Sequence, residues 1–450
     1  MFLAKNFFKL WLSVLVIVFL FTNAISQTRS RRTVQSPQNS ETNVVKVESQ
    51  GIQIEYRSRK GATKIEFRRP NDVEQGKVKD ASGSNKDNRG SVKVEVKGGF
   101  TEIDVCNLCT KFELPDRANK LYGPYFNTYV LWAVTPHGIT EKIGELLYED
   151  GFGEDFAYLD GTTTEAVFGM IVTAEPHFSV LKPSKQIVYV SRSQPANTDN
   201  AGLSVGDTIS YNATIIPDGI DSMLERYQTG DFLKVAKETE GQPTKRIRQM
   251  RNNINQALMA MAMARIDLSN AEDNRRLYND PVISEAAELL SPQAATLIKQ
   301  QMEIELKERL RLPLYEEVRA KLSLEEAEKS FLLAQRQAKN LLDKEDQESK
   351  VLPVIEKARI ASQFAAAAQA YANVAATRIE LTRIETQKDV LTSLIDDLGA
   401  EIRGGRVDVN RLGDDKTKLK GEIVRLNNHI KELDAYIVQY EGYARKLEAE

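Results

Sequence analysis

The chain has very little of what catalysis and metal binding usually draw on: three histidines and two cysteines among 450 residues. The familiar catalytic motifs are missing as well. There is no Gly-x-Ser-x-Gly elbow, no phosphate loop ending in Gly-Lys-Ser/Thr and no His-Glu-x-x-His. Charge of one sign is also lacking. A formal net charge of −3 gives no bulk field toward nucleic acid or acidic substrates. Beyond residue 21 no apolar run approaches the roughly 20 residues that cross a bilayer. These absences set the expectation of a chain that is not an enzyme. No catalytic, cofactor-binding or metal-binding residue is assigned, no cofactor, and neither nucleic acid nor a small-molecule substrate as partner.

The fragments of chemistry that remain read as ordinary. Gly151-Phe152-Gly153 begins a dinucleotide-like pattern, but Phe156 takes the third glycine's place and no helix is expected after it. The acidic run Asp150, Glu154, Asp155 and Asp160 lacks EF-hand spacing and reads as a surface loop. His137 sits between Pro136 and Gly138, and His177 follows Pro176, which is turn grammar rather than the setting of a general base. Cys106 and Cys109 form a Cys-x-x-Cys at the end of an expected strand. A local disulfide, two half-buried thiols, redox chemistry and metal binding all remain open for them, although a metal would need more ligands than His137, His177 and His429 readily offer. The sequon Asn212-Ala213-Thr214 matters only in a glycosylating host.

What is there begins with a leader. Lys5 and Lys9 precede an apolar core from Leu10 to Phe21, and Ala24-Ile25-Ser26 supplies a small-x-small pattern. The expectation is an exported protein of the periplasm or cell envelope, with signal peptide 1–26 cleaved after Ser26; an uncleaved membrane anchor is the rival. Residues 27–50, rich in Ser, Thr, Gln, Asn and Arg, read as a disordered tether. Residues 27–70 carry ten Lys/Arg against four Glu, which reads either as a solvated face or as a foothold on anionic lipid or polymer.

From residue 51 the hydrophobic period is two. Ile52, Ile54 and Tyr56 alternate with polar residues, then Ile65 and Phe67 do so, predicting a hairpin over 51–69. Val92, Val94 and Val96 lead through Gly98-Gly99, suited to a tight primed turn, into Ile103 and Val105. The runs Tyr129–Val134, Val167–Val172 and Ile187–Val190 are apolar on both faces, as central strands covered on two sides would be. A last strand is expected within Thr208–Ile216. Short strands with turn signals and no intervening helix predict an immunoglobulin-like β-sandwich over 51–216.

After Pro217 the pattern is helical, with prolines only at joints, predicting helices near 244–279, 293–311, 314–347 and 354–403 within a helical region 217–383 and beyond. Ala257, Ala260, Met261, Ala264 and Leu268 form one apolar stripe, and alanine dominates the seam from Ala358 to Ala376. A strict seven-residue ladder then runs through 384–450. Ile384, Leu391, Leu398, Gly405, Leu412, Leu419, Leu426, Leu433, Tyr440 and Leu447 form one rung, and Ile395, Ile402, Val409, Ile423, Ile430, Ile437 and Ala444 the other. Lys416 is the lone charged residue on the second rung. β-Branched residues at a with leucine at d favour a parallel two-stranded coiled coil, so a homodimer through this seam is expected, with a kink or break at Gly404-Gly405. The fold class expected is therefore α+β as separate domains: a sandwich followed by a long helical and coiled-coil region.

The middle of the β region resembles a known family. Tyr125–Ile139 (YFNTYVLWAVTPHGI), Gly144-Glu145-Leu146, Phe168–Val180 (FGMIVTAEPHFSV) and Pro183-Ser184 are similar to the N-terminal region of exported OmpA-family envelope proteins of acidobacteria-like bacteria. Gln256–Arg276 (QALMAMAMARIDLSNAEDNRR) looks like the start of the helical segment that follows in that family. The resemblance implies an envelope location, with envelope polymer or outer-membrane components as partners. Those proteins usually finish in an OmpA-like peptidoglycan-binding domain, and nothing like it lies within these 450 residues, so no peptidoglycan-binding residue is carried over. The expected role is a non-enzymatic structural or tethering protein, a sandwich displayed on a dimeric stalk. The alternatives are a periplasmic chaperone or secretion adaptor with helical arms, and a ligand-binding or enzymatic sandwich.

Overall fold

The structure is a computed structural model. It describes residues 44–47, 52–53, 63–68, 91–97, 99–105, 118–135, 137–149, 156–165, 167–191, 203–204, 209–228, 245–277, 292–342, 350–403 and 409–449. The leader, the tether apart from 44–47, both cysteines and Gly404-Gly405 lie outside the described residues. The chain is α+β, with antiparallel strands first and long helices after.

The two-sided strands are where the sequence puts them. Strands β6 (Thr128–Val134), β10 (Val167–Glu175) and β11 (Ile187–Ser191) lie side by side, with β10 paired to both neighbours. Alternation splits their side chains between two cores. Tyr129, Leu131 and Ala133 of β6 join Phe168, Met170 and Val172 of β10 on one face, while Val130, Trp132, Val134, Ile171 and Val190 face Val180 and Tyr211 on the other. Every residue of β6 is buried.

The remaining strands close this sheet into a ring. From β11 the ladder continues through β3 (Thr63–Arg68), β4 (Ser91–Lys97), β5 (Phe100–Val105), β9 (Phe156–Thr163) and β8 (Leu147–Glu149). One residue before β8, strand β7 (Thr140–Glu145) pairs instead with β6. The chain therefore changes neighbours at Leu146, from β6 to β9, and joins the two ends of the ladder. An immunoglobulin-like sandwich calls for two sheets without hydrogen bonds between them; here one eleven-stranded sheet is continuous, with β1 (Val44–Val47) and β13 (Ile209–Asn212) as a separate pair. The turn at Gly99, with φ +112°, connects β4 and β5 as the sequence predicts. Among the described residues of the expected hairpin over 51–69, β2 (Ile52–Gln53) pairs with β10 and with β12 (Leu203–Ser204), and β3 pairs with β4 and β11 instead of with β2. Alternation fixes which face of a strand is apolar and leaves its partner open.

Where β7 crosses β9, two glycines permit the approach. A Cβ at Gly161 would stand 2.4 Å from Ile143 Cγ2 and 2.9 Å from its carbonyl oxygen, and one at Gly144 would stand 2.4 Å from Leu159 Cδ1.

A short helix α1 (Ala118–Tyr122) lies among the strands, and the helices that follow β13 are α2 (Ile220–Gln228), α3 (Lys245–Leu277), α4 (Pro292–Arg309), α5 (Tyr315–Leu342), α6 (Val351–Arg403) and α7 (Val409–Ala449). Four of these reproduce the expected segments within a few residues, and Pro353 is tolerated because it falls in the first turn of α6. The stripe Ala257, Ala260, Met261, Ala264 and Leu268 is buried against α5 and α6. The opposite face of α3 is buried too, Met259, Met263 and Ile266 packing on α2. In the alanine seam, Ala358, Ala361, Ala365, Ala368 and Ala372 are all completely buried. A methyl group contributes only about 0.8 kcal/mol on burial, so polar contacts weigh more at such a seam than in a leucine core.

The chain divides into two compact units. The larger takes Ser40–Arg276, Leu312–Ile379 and Leu433–Glu450, so the ring of strands shares one body with α1, α2, α3, α5 and parts of α6 and α7. Arg275 of α3 donates to Glu317 of α5 at 2.9 Å, with the Glu317 side chain fully buried. Arg378 of α6 meets Glu441 of α7 at 2.6 Å. In the smaller unit α4 packs with 380–403 and 409–432, burying Leu306, Leu391, Ile395, Leu419 and Leu426 and pairing Arg309 with Asp389 at 2.9 Å.

Candidate functional site: a polar junction between strands and helices

The most densely connected polar cluster joins the strand ring to α3 and α6, all within the larger unit. Its centre is Glu145, the last residue of β7, at 7 % exposure. One carboxylate oxygen accepts from Thr128 Oγ1 at 2.7 Å and Gln256 Nε2 at 2.9 Å; the other accepts from Arg359 Nη1 at 2.5 Å. A carboxylate so placed is fully satisfied by donors from a strand, α3 and α6. Gln256 also accepts the Phe178 amide at 2.7 Å, and Asn252 donates to the Asn127 carbonyl at 2.6 Å. The Arg359 guanidinium lies 3.8 Å over the Phe178 ring.

The other half of the junction is the segment 176–186 after β10. Ser179 Oγ is 2.9 Å from both the carbonyl and the hydroxyl of Ser362 on α6, and 3.0 Å from His177 Nδ1. The Ser179 hydroxyl has one proton. With that proton given to the Ser362 carbonyl, Ser179 accepts from Ser362 Oγ and from a protonated His177 Nδ1. His177 Nε2 then holds a bare lone pair, buried and without a hydrogen-bond partner. Burial, and to a lesser extent Lys142, pushes the His177 pKa down to about 3.

Nearer β10, Glu175 Oε1 accepts from Thr173 Oγ1, which itself receives the Trp132 indole N–H at 2.8 Å, and from the Ser184 amide at 2.7 Å. Glu175 Oε2 has no partner. Burial raises its pKa to about 8, against the opposing pull of Thr173, Ser184 and Lys142, so the carboxyl is largely protonated at neutral pH. Tyr211, raised in turn by burial and by Glu175, donates to the Ser184 carbonyl at 2.9 Å.

A serine bonded to a histidine invites a nucleophilic reading, but both residues are fully buried, and the Ser179 hydroxyl is enclosed by the Ser362 carbonyl and hydroxyl. The cluster can join elements, and its titratable members can respond to protons.

The residues marked in the sequence fall as follows. His177 lies in the bends after β10, and His137 lies in an exposed turn. Asp160 is in β9, opposite Asp104 of β5; desolvation, then Asp104 and Glu102, raises its pKa, and the rest of the acidic run lies outside the described residues. Among the described residues no group of three or more His, Cys, Asp or Glu is placed to hold a metal ion. Cys106 and Cys109 lie outside the described residues.

The ladder is divided between two helices, α6 ending at Arg403 and α7 beginning at Val409. Ile395 in α6, and Leu419, Leu426, Leu433, Ile437 and Leu447 in α7, are buried within the single chain. Ile423, Ile430, Tyr440 and Lys416 are half-buried. The side chains of Leu398, Ile402, Val409 and Leu412 fall outside the described burial. Arg378 of α6 meets Glu441 of α7 within the single chain. The expected parallel homodimer would draw on some of these same side chains, which one chain already covers in part.

Sequence reading missed Glu145, Gln256, Arg359 and Ser362 as a set. The available signal was a polar residue interrupting an apolar stripe: Asn253 and Gln256 beside Ala257 and Ala260, and Arg359 and Ser362 within the alanine seam. No protein-family model, no curated protein and no solved structure matches the chain. The likeness to OmpA-family proteins thus rests on the quoted segments alone.

Proposed function

We propose that this is a non-enzymatic, exported cell-envelope protein with a structural or tethering role, its strand ring held rigidly on helices. The observation that carries this reading is the ion pair of buried Glu145 with half-buried Arg359, which joins the end of β7 to α6 within one unit. A sheet fixed to its helices in this way suits bearing load between two attachments more than opening and closing on a substrate. The segments that resemble the OmpA-family proteins support the same reading. They contain Asn127, Thr128, Glu145, Glu175, His177, Ser179 and Gln256, the residues that build the junction. The leader supports export. A periplasmic adaptor or chaperone with helical arms is the second reading, favoured by the return of α7 along α6 at Arg378 and Glu441.

Fractionation of the source cells, with an antibody raised against 245–277, tests the proposal. The expected result is a chain beginning at Gln27 in the envelope fraction, retained with cell-wall or outer-membrane material. A chain with Met1 intact in the cytosolic fraction overturns it.

A further inference from the structure

Two buried titratable groups flank the start of one short segment, and their chemistry is opposite. Glu175 accepts from the Ser184 amide near the far end of 176–186, and His177 meets Ser179, which reaches Ser362 of α6, near its start; Asn127 and Thr214 bond the backbone at Pro176, Lys182 and Pro183 besides. We propose that segment 176–186 is a proton-sensitive latch. Uptake of a proton by His177, or loss of the proton from Glu175, releases the segment and with it the Ser179–Ser362 connection between strands and α6.

The geometry supplies both arms. In the His177 imidazolium both ring nitrogens carry a proton, and the N–H at Nε2 is buried without an acceptor. The proton lost from Glu175 leaves a buried carboxylate whose Oε2 has no donor. The charged and titratable groups around them offer little relief. Lys142 of β7 acts on both, favouring the Glu175 anion and opposing the His177 cation. Tyr211 of β13 donates to the Ser184 carbonyl, and Arg359 of α6 is paired with Glu145.

The signs follow from linkage. The His177 value is lowered on closing, from 6.5 to about 3, so closure is favoured above pH 6.5 and weakens as pH falls toward 3. The Glu175 value is raised, from 4.5 to about 8, so its support is complete below pH 4.5 and is lost as pH rises through 8. Each arm changes the opening constant by up to about tenfold per pH unit within its window. The latch is tightest in mildly acidic solution, and it stands whether or not the chain is exported.

Hydrogen exchange on the full chain, corrected for intrinsic rates between pH 3.5 and 9, reads the latch through the Phe178 and Ser184 amides. Protection there should be highest and level between about pH 4.5 and 6.5 and fall on both sides, while β4 and β5 stay protected. Glu175→Gln should remove the alkaline arm alone and His177→Gln the acid arm alone. A flat wild-type profile, an arm that survives its own substitution, or parallel loss of protection in β4 and β5 would overturn the proposal. Should either variant fail to fold, long-range proton–nitrogen spectra of the wild-type chain decide the acid arm. His177 must remain the neutral Nδ1–H tautomer at pH 5, and a histidine already protonated there would refute it.

Discussion

Replacing Arg359 with methionine tests whether strands and helices form one cooperative body. Methionine keeps most of the apolar stem beside Phe178 and removes the charge. Glu145 would stay buried with two of its three donors, Thr128 and Gln256. Breaking a buried pair costs about 3–5 kcal/mol. Arg359 is 29 % exposed, and Glu145 retains two donors, so the lower end applies. Loss of the guanidinium over the ring adds about 0.5–1 kcal/mol. A total of about 3–4 kcal/mol corresponds to a fall in Tm of roughly 6 °C or more in a body of this size. Trp132 and Trp11 are the only tryptophans, and Trp11 belongs to the leader, so fluorescence of the chain from Gln27 onward reports the strands alone. Circular dichroism at 222 nm reports mainly the helices. Both should show one transition, shifted together by Arg359→Met. A double-mutant cycle with Glu145→Gln should give a coupling of about 2 kcal/mol. Coupling below about 0.5 kcal/mol, or a helical transition that shifts while the Trp132 signal does not, refutes the reasoning.

Gly161→Ala should destabilise by about 1–3 kcal/mol because its methyl meets the Ile143 backbone, whereas Gly144→Ala should cost less, since it meets only the far end of Leu159; urea denaturation ranks the two. A chain ending at Pro217 should bind a hydrophobic dye and lack a cooperative melt, because it leaves Phe178, Leu181 and Glu145 without α3 and α6; a sharp melt would restore the sequence-based expectation that residues 51–216 fold alone. In sedimentation equilibrium the full chain should be monomeric at micromolar concentration, since one chain already covers Leu419, Leu426, Leu433 and Ile437; a stable dimer would show that the seam is exchanged between copies.

Element types were legible because they depend on local periodicity. Strands β6, β10 and β11 announced burial on both faces through unbroken apolar runs, and the structure covers both. The prolines at 292 and 353 marked helix starts because the first turn of a helix needs no N–H from them, and Pro313 falls between α4 and α5. The alanine seam announced close approach, and its residues are fully buried.

Partners were not legible, because pairing is decided between segments far apart in the chain. A period of two says which side of β3 is apolar and not that its neighbours are β4 and β11. The closing of the strand ring at Leu146 depends on β6 and β9 meeting one bent strand on two sides, which no single segment encodes. A heptad repeat states that a seam will be buried without stating against which helix, and a chain that turns back can cover it alone. Glu145 and Arg359 are 214 residues apart, and each is an ordinary surface charge until the fold buries the carboxylate and brings the guanidinium to it. The sequence by itself determined which faces must be buried. The tertiary structure decided what each face is buried against, and the buried polar groups at that contact are the ones left to hold or release protons.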